Sequence, residues 1–139
     1  MTPAALLPHA GAMVLLDRIV DWNDHEAICA TRAHLAPQNP LRRDGTLPAI
    51  CGMEMALQAA AVHGALRGGG SARSGVVAVL RDVTWSVARL DDARLGELRA
   101  LARLVKEEAG GVIYELELNA EDGRSLVRGR AVIAWPNLE

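Results

Sequence analysis

The chain has 139 residues and a mass of 14.8 kDa, enough for one ordinary domain with a real core and too little for two. Half of it is apolar, yet its aromatic residues are only Trp22, Trp85, Trp135 and Tyr114, so the core must be built from Leu, Val, Ile, Met and many alanines. Seventeen acids against 15 bases leave a net charge of −2, which excludes the basic excess of a general nucleic-acid binder and, at this apolar content, a disordered chain.

Pro3 and Pro8 bracket a short apolar piece that suits one helical turn. Residues 14–22 read as a helix that finishes as a strand, and Asn23-Asp24 as a turn. Residues 26–35 alternate, with Ile28, Ala30, Arg32 and His34 on one face and Cys29, Thr31, Ala33 and Leu35 on the other, the pattern of a half-buried strand. Pro37, Asn39, Pro40 and Asp44-Gly45 then make an irregular loop.

The best helix follows. Pro48 suits its first turn, where a missing N–H costs nothing, and residues 49–67 are dominated by Ala, Leu and Met. At 1.5 Å per residue this is a rod of roughly 28 Å. It is apolar nearly all round, which marks a helix enclosed by other structure. Gly68-Gly69-Gly70 stops it, and a Ser/Arg/Gly loop leads to Gly75.

The second half reads as strands. Residues 76–85 are rich in β-branched side chains. Residues 94–108 fit helix by propensity and strand by the alternation of Leu98, Ala100, Ala102 and Leu104; strand completes an antiparallel run. Residues 112–120 place Val112, Tyr114, Leu116 and Leu118 on one face, Asp122-Gly123 signals a hairpin, and residues 126–135 return with Arg128 and Arg130 outward. One enclosed helix and five or so strands make an α+β domain over 1–139, a sheet wrapped around the helix. Its free edge invites a second copy.

Cys29 and Cys51 match neither a metal spacing nor a redox pair, so no metal site is expected and a reducing cytoplasm is the default. No apolar run is expected to reach the length of a membrane span. The first residues carry no cationic leader, so they do not read as a signal peptide.

Glu54 is the outstanding polar residue, set between Met53 and Met55 with Gln58 on the same face one turn on. A carboxyl buried there would favour its neutral form and suit a general acid; pairing with an arginine or snorkelling to solvent is the plainer alternative. Four histidines are candidates for a base: His9, His25, His34 and His63. His63 lies 2.5 turns beyond Glu54, nearly on the opposite side. Ser71 and Ser74 lack a nucleophile-elbow pattern, and the glycine run lacks the ending of a phosphate loop. Arg42 and Arg43 flank the helix entrance, where they face either solvent or an acidic partner.

Leu7-Pro8-His9 and the run Met13-Val14-Leu15-Leu16-Asp17-Arg18-Ile19-Val20 resemble the opening of the FabZ-type 3-hydroxyacyl acyl-carrier-protein dehydratases. Pro48 through Gln58, with Glu54 six residues after the proline, resembles that family's central-helix motif, and Asp122-Gly123 with the closing strand resembles its ending. The resemblance implies the hot-dog fold, a sheet wrapped around a long helix, with copies pairing edge to edge. It implies an acyl carrier protein bearing a 3-hydroxyacyl thioester as substrate and partner, with no cofactor and no metal.

In those dehydratases a histidine on the loop before the helix removes a C2 proton, and a helix carboxylate, matched by Glu54, protonates the departing 3-hydroxyl. Backbone N–H groups near Ala49 and Ile50 would hold the thioester carbonyl. Pro48, Met53 and Gln58 would complete the substrate contacts, with Met55 and Leu57 beside the acyl chain. Here the loop reads Pro40-Leu41-Arg42-Arg43-Asp44-Gly45-Thr46-Leu47-Pro48 and carries no histidine, a form similar to the divergent ApeP-like hot-dog branch of aryl-polyene clusters. Three expectations follow: a dehydratase with His9, or else His34, as replacement base; a non-catalytic partner subunit in a homo- or heterodimer; or a hot-dog thioesterase.

Overall fold

The computed structural model describes residues 2–69 and 75–135. Helix α1 (Pro3–Leu6) is the expected single turn, with Thr2 Oγ1 accepting the Ala5 N–H. Leu6 and Leu7 are buried, which anchors the lead-in to the core. After a tight turn at Gly11–Met13 the chain runs extended into β1 (Arg18–Trp22). The helix expected at the start of residues 14–22 is absent for a specific reason. The Leu15 N–H donates to Gln58 Oε1 at 2.8 Å and the Leu15 carbonyl accepts from Thr31 Oγ1 at 2.5 Å, so neither group is left for a helical ladder.

Strand β2 (Glu26–Thr31) stops at Thr31 rather than Leu35. Thr31 Oγ1 also accepts the Ala33 N–H at 2.9 Å, and this local side-chain bond turns the chain into a tight helical turn at Ala33–Leu35. Asn23 makes the expected turn between β1 and β2, its Oδ1 accepting the N–H groups of His25 and Glu26.

Helix α2 (Gly52–Arg67) follows a tight turn at Ala49–Cys51. It ends at Gly68, with Gly69 in the left-handed region at φ 76°, the conformation in which glycine has no Cβ penalty. One expectation needs correcting. The stretch Ala49–Arg67 has 19 residues at a mean hydropathy of 1.2, long and apolar enough to cross a membrane by length and composition. In the fold 61% of it is buried, because its apolar surface packs on the sheet.

Strands β3 (Val76–Trp85), β4 (Leu98–Glu108), β5 (Gly111–Asn119) and β6 (Ser125–Ala134) complete an antiparallel sheet in the order β1-β2-β4-β5-β6-β3. Residues 94–108 therefore resolve as strand over Leu98–Glu108, with Leu98, Ala100 and Ala102 inward. The inward face of β5 is Val112, Tyr114, Leu116 and Leu118, all buried, as their alternation predicts. Gly123, at φ 93°, closes the β5–β6 hairpin.

The alanine content has a structural use. Met53, Met55, Ala56, Ala59, Ala60 and Val62 on α2 are buried in one core cluster with Ala100, Ala102 and Ala131 on the sheet, and small side chains on both sides let helix and sheet approach closely. A Cβ on Gly52 would lie 2.8 Å from Leu118 Cδ2 and 3.1 Å from Val127 Cγ2. The outer face carries cross-strand pairs: Arg130 to Glu115 at 2.9 Å, Arg128 to Glu117 at 3.3 Å and Arg103 to Glu115 at 3.4 Å. Arg128 and Arg130 thus occupy the exposed strand face expected of them. Among the described residues strand β3 is bonded only to β6 and leaves one edge open, with Val76 59% and Trp85 57% exposed.

Candidate active site

Glu54 stands in the first turn of α2, and its position follows from how the helix start is held. Residues 36–47 are an irregular loop organised by Arg42, which donates from Nε to the Ala36 carbonyl at 2.9 Å, from Nη1 to Gly45 at 3.0 Å and from Nη2 to His34 at 3.2 Å. Arg42 therefore serves the loop, and Arg43 is the exposed one of the pair. Asp44 and Gly45, at φ 51° and 78°, form the two-residue turn whose flanks Arg43 and Thr46 are paired. The Leu47 carbonyl accepts the Leu90 N–H at 2.8 Å, and the Leu47 N–H donates to Asp91 Oδ1 at 2.9 Å. The Arg89 guanidinium beside Asp91 holds that carboxyl well below the usual range.

This scaffold corrects one expectation. The Ala49 N–H donates to the Ala88 carbonyl at 3.1 Å, so it is not available to a thioester oxygen. Ile50, at the same helix entrance, is 47% exposed, while Pro48 is half-buried and bridged to Arg89. Met53 and Met55 are buried in the core at 2% and 0% exposure, away from the cleft, whereas Leu57 lines it.

The cleft runs along α2 and has a volume of about 510 Å³. Pro8, His9 and Glu54 line one part; Tyr114, Trp135 and Val77 are among the residues lining the rest. His9 Nε2 lies 3.7 Å from Glu54 Oε1, with side chains 27% and 36% exposed. That separation is an ion-pair distance rather than a hydrogen bond. The Glu54 carboxylate opens onto the cleft and is less enclosed than the apolar helix suggests. His9 Nδ1 is buried with no hydrogen-bond partner among the described residues.

Gln58 lies on the Glu54 face, as its spacing predicts, but its amide is engaged at both ends. Oε1 accepts the Leu15 N–H at 2.8 Å and Nε2 donates to the Met13 carbonyl at 2.7 Å. Its polar atoms hold the lead-in rather than a ligand.

The other histidines separate clearly. His34 is fully buried in its turn and does not line the cleft; burial lowers its pKa, with the Gly96 backbone acting the other way. His25 is exposed beside the β1–β2 turn. His63 is fully buried, with Nε2 2.8 Å from the Asn23 carbonyl and Nδ1 2.7 Å from the Tyr114 hydroxyl. A carbonyl only accepts, so Nε2 carries the proton and Nδ1 accepts the Tyr114 O–H. Burial lowers the His63 pKa and pushes the Tyr114 hydroxyl up to about 12. No local pattern announces this pair, whose members are 51 residues apart.

Arg67 and Glu107, also on the cleft wall, form a two-bond ion pair at 2.9 and 3.1 Å. Burial pushes the Cys29 thiol up to about 12 and raises that of Cys51, which makes both poor nucleophiles. Among the described residues no three His, Cys, Asp or Glu side chains are placed to hold a metal. Gly70, Ser71 and Ser74 lie outside the described residues.

The family model described as ApeP-like, ApeP dehydratase, matches residues 1–139. The dehydratase heterocomplex ApeI:P from Xenorhabdus doucetiae is similar at 25% identity over 99% of this chain and 93% of that one, with a TM-score of 0.82. AziG from S. sahachiroi follows at 18% identity, 96% and 99% coverage and a TM-score of 0.68. A hypothetical thioesterase from Streptococcus pneumoniae, solved with coenzyme A, shares the hot-dog fold at 13% identity, 86% and 85% coverage and a TM-score of 0.62. No curated protein matches the chain by sequence.

Proposed function

Because the chain belongs to the ApeP-like dehydratase family over its whole length, we propose that it removes water from a 3-hydroxyacyl thioester borne by acyl carrier protein, with His9 as base and Glu54 as acid. The observation that carries this reading is the 3.7 Å approach of His9 Nε2 to Glu54 Oε1 on the wall of an otherwise largely apolar cleft. A proton on C2 is acidified by the thioester carbonyl, and a neutral imidazole is suited to take it. The carboxylic acid of Glu54 protonates the 3-hydroxyl, the C3–O bond breaks, the C2–C3 double bond forms and water leaves. His9 then holds one extra proton and Glu54 lacks one, and transfer through one bridging water restores both.

The thioester carbonyl belongs at the start of α2, where the helix dipole favours developing negative charge. With the Ala49 amide bonded to Ala88, that task falls to the amide of Ile50. Arg43, the exposed arginine at this entrance, faces the acidic carrier protein. We place the reaction in the cytoplasm and in aryl-polyene-like or fatty-acid-like synthesis. The open, apolar β3 edge takes a second hot-dog chain of different sequence, a reading supported by the similarity to a protein described as a dehydratase heterocomplex.

A second reading has its own observation. The loop at residues 40–48 carries no histidine, so a histidine-bearing partner would supply the chemistry while this chain supplies the fold. Intact-protein mass spectrometry of a 3-hydroxyacyl carrier protein separates the two. Loss of one water by the chain alone supports the proposal. Loss of water only when a second hot-dog subunit is added supports the partner reading. Release of a free hydroxy acid would make the chain a thioesterase and overturn both.

A further inference from the structure

We infer that Gln58 is a positioning residue that sets where His9 stands relative to Glu54, an inference that rests on the acid–base reading above. His9 belongs to a short span strung between two anchors. On one side Leu6 and Leu7 are buried, at 2% and 7% exposure. On the other, Met13 and Leu15 are gripped by the Gln58 amide, through the Met13 carbonyl at 2.7 Å and the Leu15 N–H at 2.8 Å. Thr31 Oγ1 holds the Leu15 carbonyl from the far side at 2.5 Å.

Glu54 and Gln58 stand four residues apart on one rigid helix face. The grip on the lead-in is thus referenced to the same helix that carries the acid. Gln58 is 1% exposed and both ends of its amide are occupied. It makes no use of its polar atoms in the cleft, although its side chain reaches the wall there. Between the anchors, Gly11 at φ 60° permits the reversal that returns the chain from His9 to Met13. Gln58 therefore acts on the reaction through backbone 13–15 and not through substrate.

Gln58→Met keeps the volume and removes both bonds; Gln58→Asn keeps the amide and shortens its reach. Misplacement of a reacting group by about 1 Å costs on the order of 100-fold in rate. Each variant should therefore lower kcat for dehydration by roughly 10- to 100-fold, with KM changed by less than about threefold. The decisive comparison repeats them in the His9→Ala background, with the full-length chain in the oligomer it forms. If Gln58 acts through His9, the further loss there should be under about twofold. A purely structural role would instead cost the same factor in both backgrounds. A His9→Ala defect accompanied by equal Gln58 effects in both backgrounds, or by none, overturns this inference and leaves the acid–base pair standing. A wild-type rate in His9→Ala overturns both. Gln58→Asn carries the test if Gln58→Met does not fold.

Discussion

Tyr114→Phe isolates the buried contact between the sheet and the far half of α2. The phenol oxygen is lost, while the ring remains 5.6 Å from the His63 ring in an edge-on contact at 87°. Tyr114 is 3% exposed and His63 fully buried, so water does not readily replace the missing donor. His63 Nδ1 becomes a buried acceptor without a partner, since Nε2 remains bonded to the Asn23 carbonyl. Stranding a buried polar group costs about 1–3 kcal/mol, and removal of one oxygen adds little cavity. Scaled by about 2.1 cal/mol/K per residue, this lowers Tm by roughly 3–10 °C. Calorimetry with urea titration reads both quantities at fixed protein concentration, so that oligomer mass action is constant. An unchanged or raised Tm would refute the claim that the hydroxyl satisfies His63.

Two further predictions test the fold. Burial lowers the folded-state pKa of both His34 and His63 below 6.5, so below that pH the unfolded chain binds more protons. Stability present above about pH 6.5 should fall on acidification by up to about 1.4 kcal/mol per pH unit for each histidine, until the folded pKa is passed. Urea midpoints across this window measure it, and a flat profile above the carboxylate range would contradict it. Gly52→Ala should cost about 1–3 kcal/mol by overpacking, because the added Cβ meets Leu118 and Val127. A thermal melt no lower than wild type would show that the helix start yields freely.

What was legible in the chain was whatever depends on near neighbours. The inward row of Val112, Tyr114, Leu116 and Leu118 follows from period-two alternation, and the hairpin after it from Asp122-Gly123. Residues 98–104 satisfy two periods at once, and tertiary pairing with β2 and β5 overrides their helical propensity. What was hidden depends on distant partners. The helix expected from residue 14 is lost because the Leu15 carbonyl accepts from Thr31 and its N–H donates to Gln58, and the bond of Ala49 to Ala88 removes an amide that the helix start otherwise offers. The i, i+4 spacing puts Gln58 on the Glu54 face, but its use follows from residues 43 and 45 positions away. The lack of a loop histidine leaves His9 or else His34 as the candidate base; the approach of His9 to Glu54 emerges only in the fold.

The most direct test of the acid–base pair is single-turnover dehydration of a 3-hydroxyacyl carrier protein by wild type, His9→Ala, Glu54→Gln and the double variant. General acid–base groups contribute about 10²- to 10⁴-fold each, so either single variant should slow water loss by a factor in that range. The double variant should be little slower than the worse single one, because the two groups act as a unit. Water loss at the wild-type rate by His9→Ala or by Glu54→Gln would contradict the account.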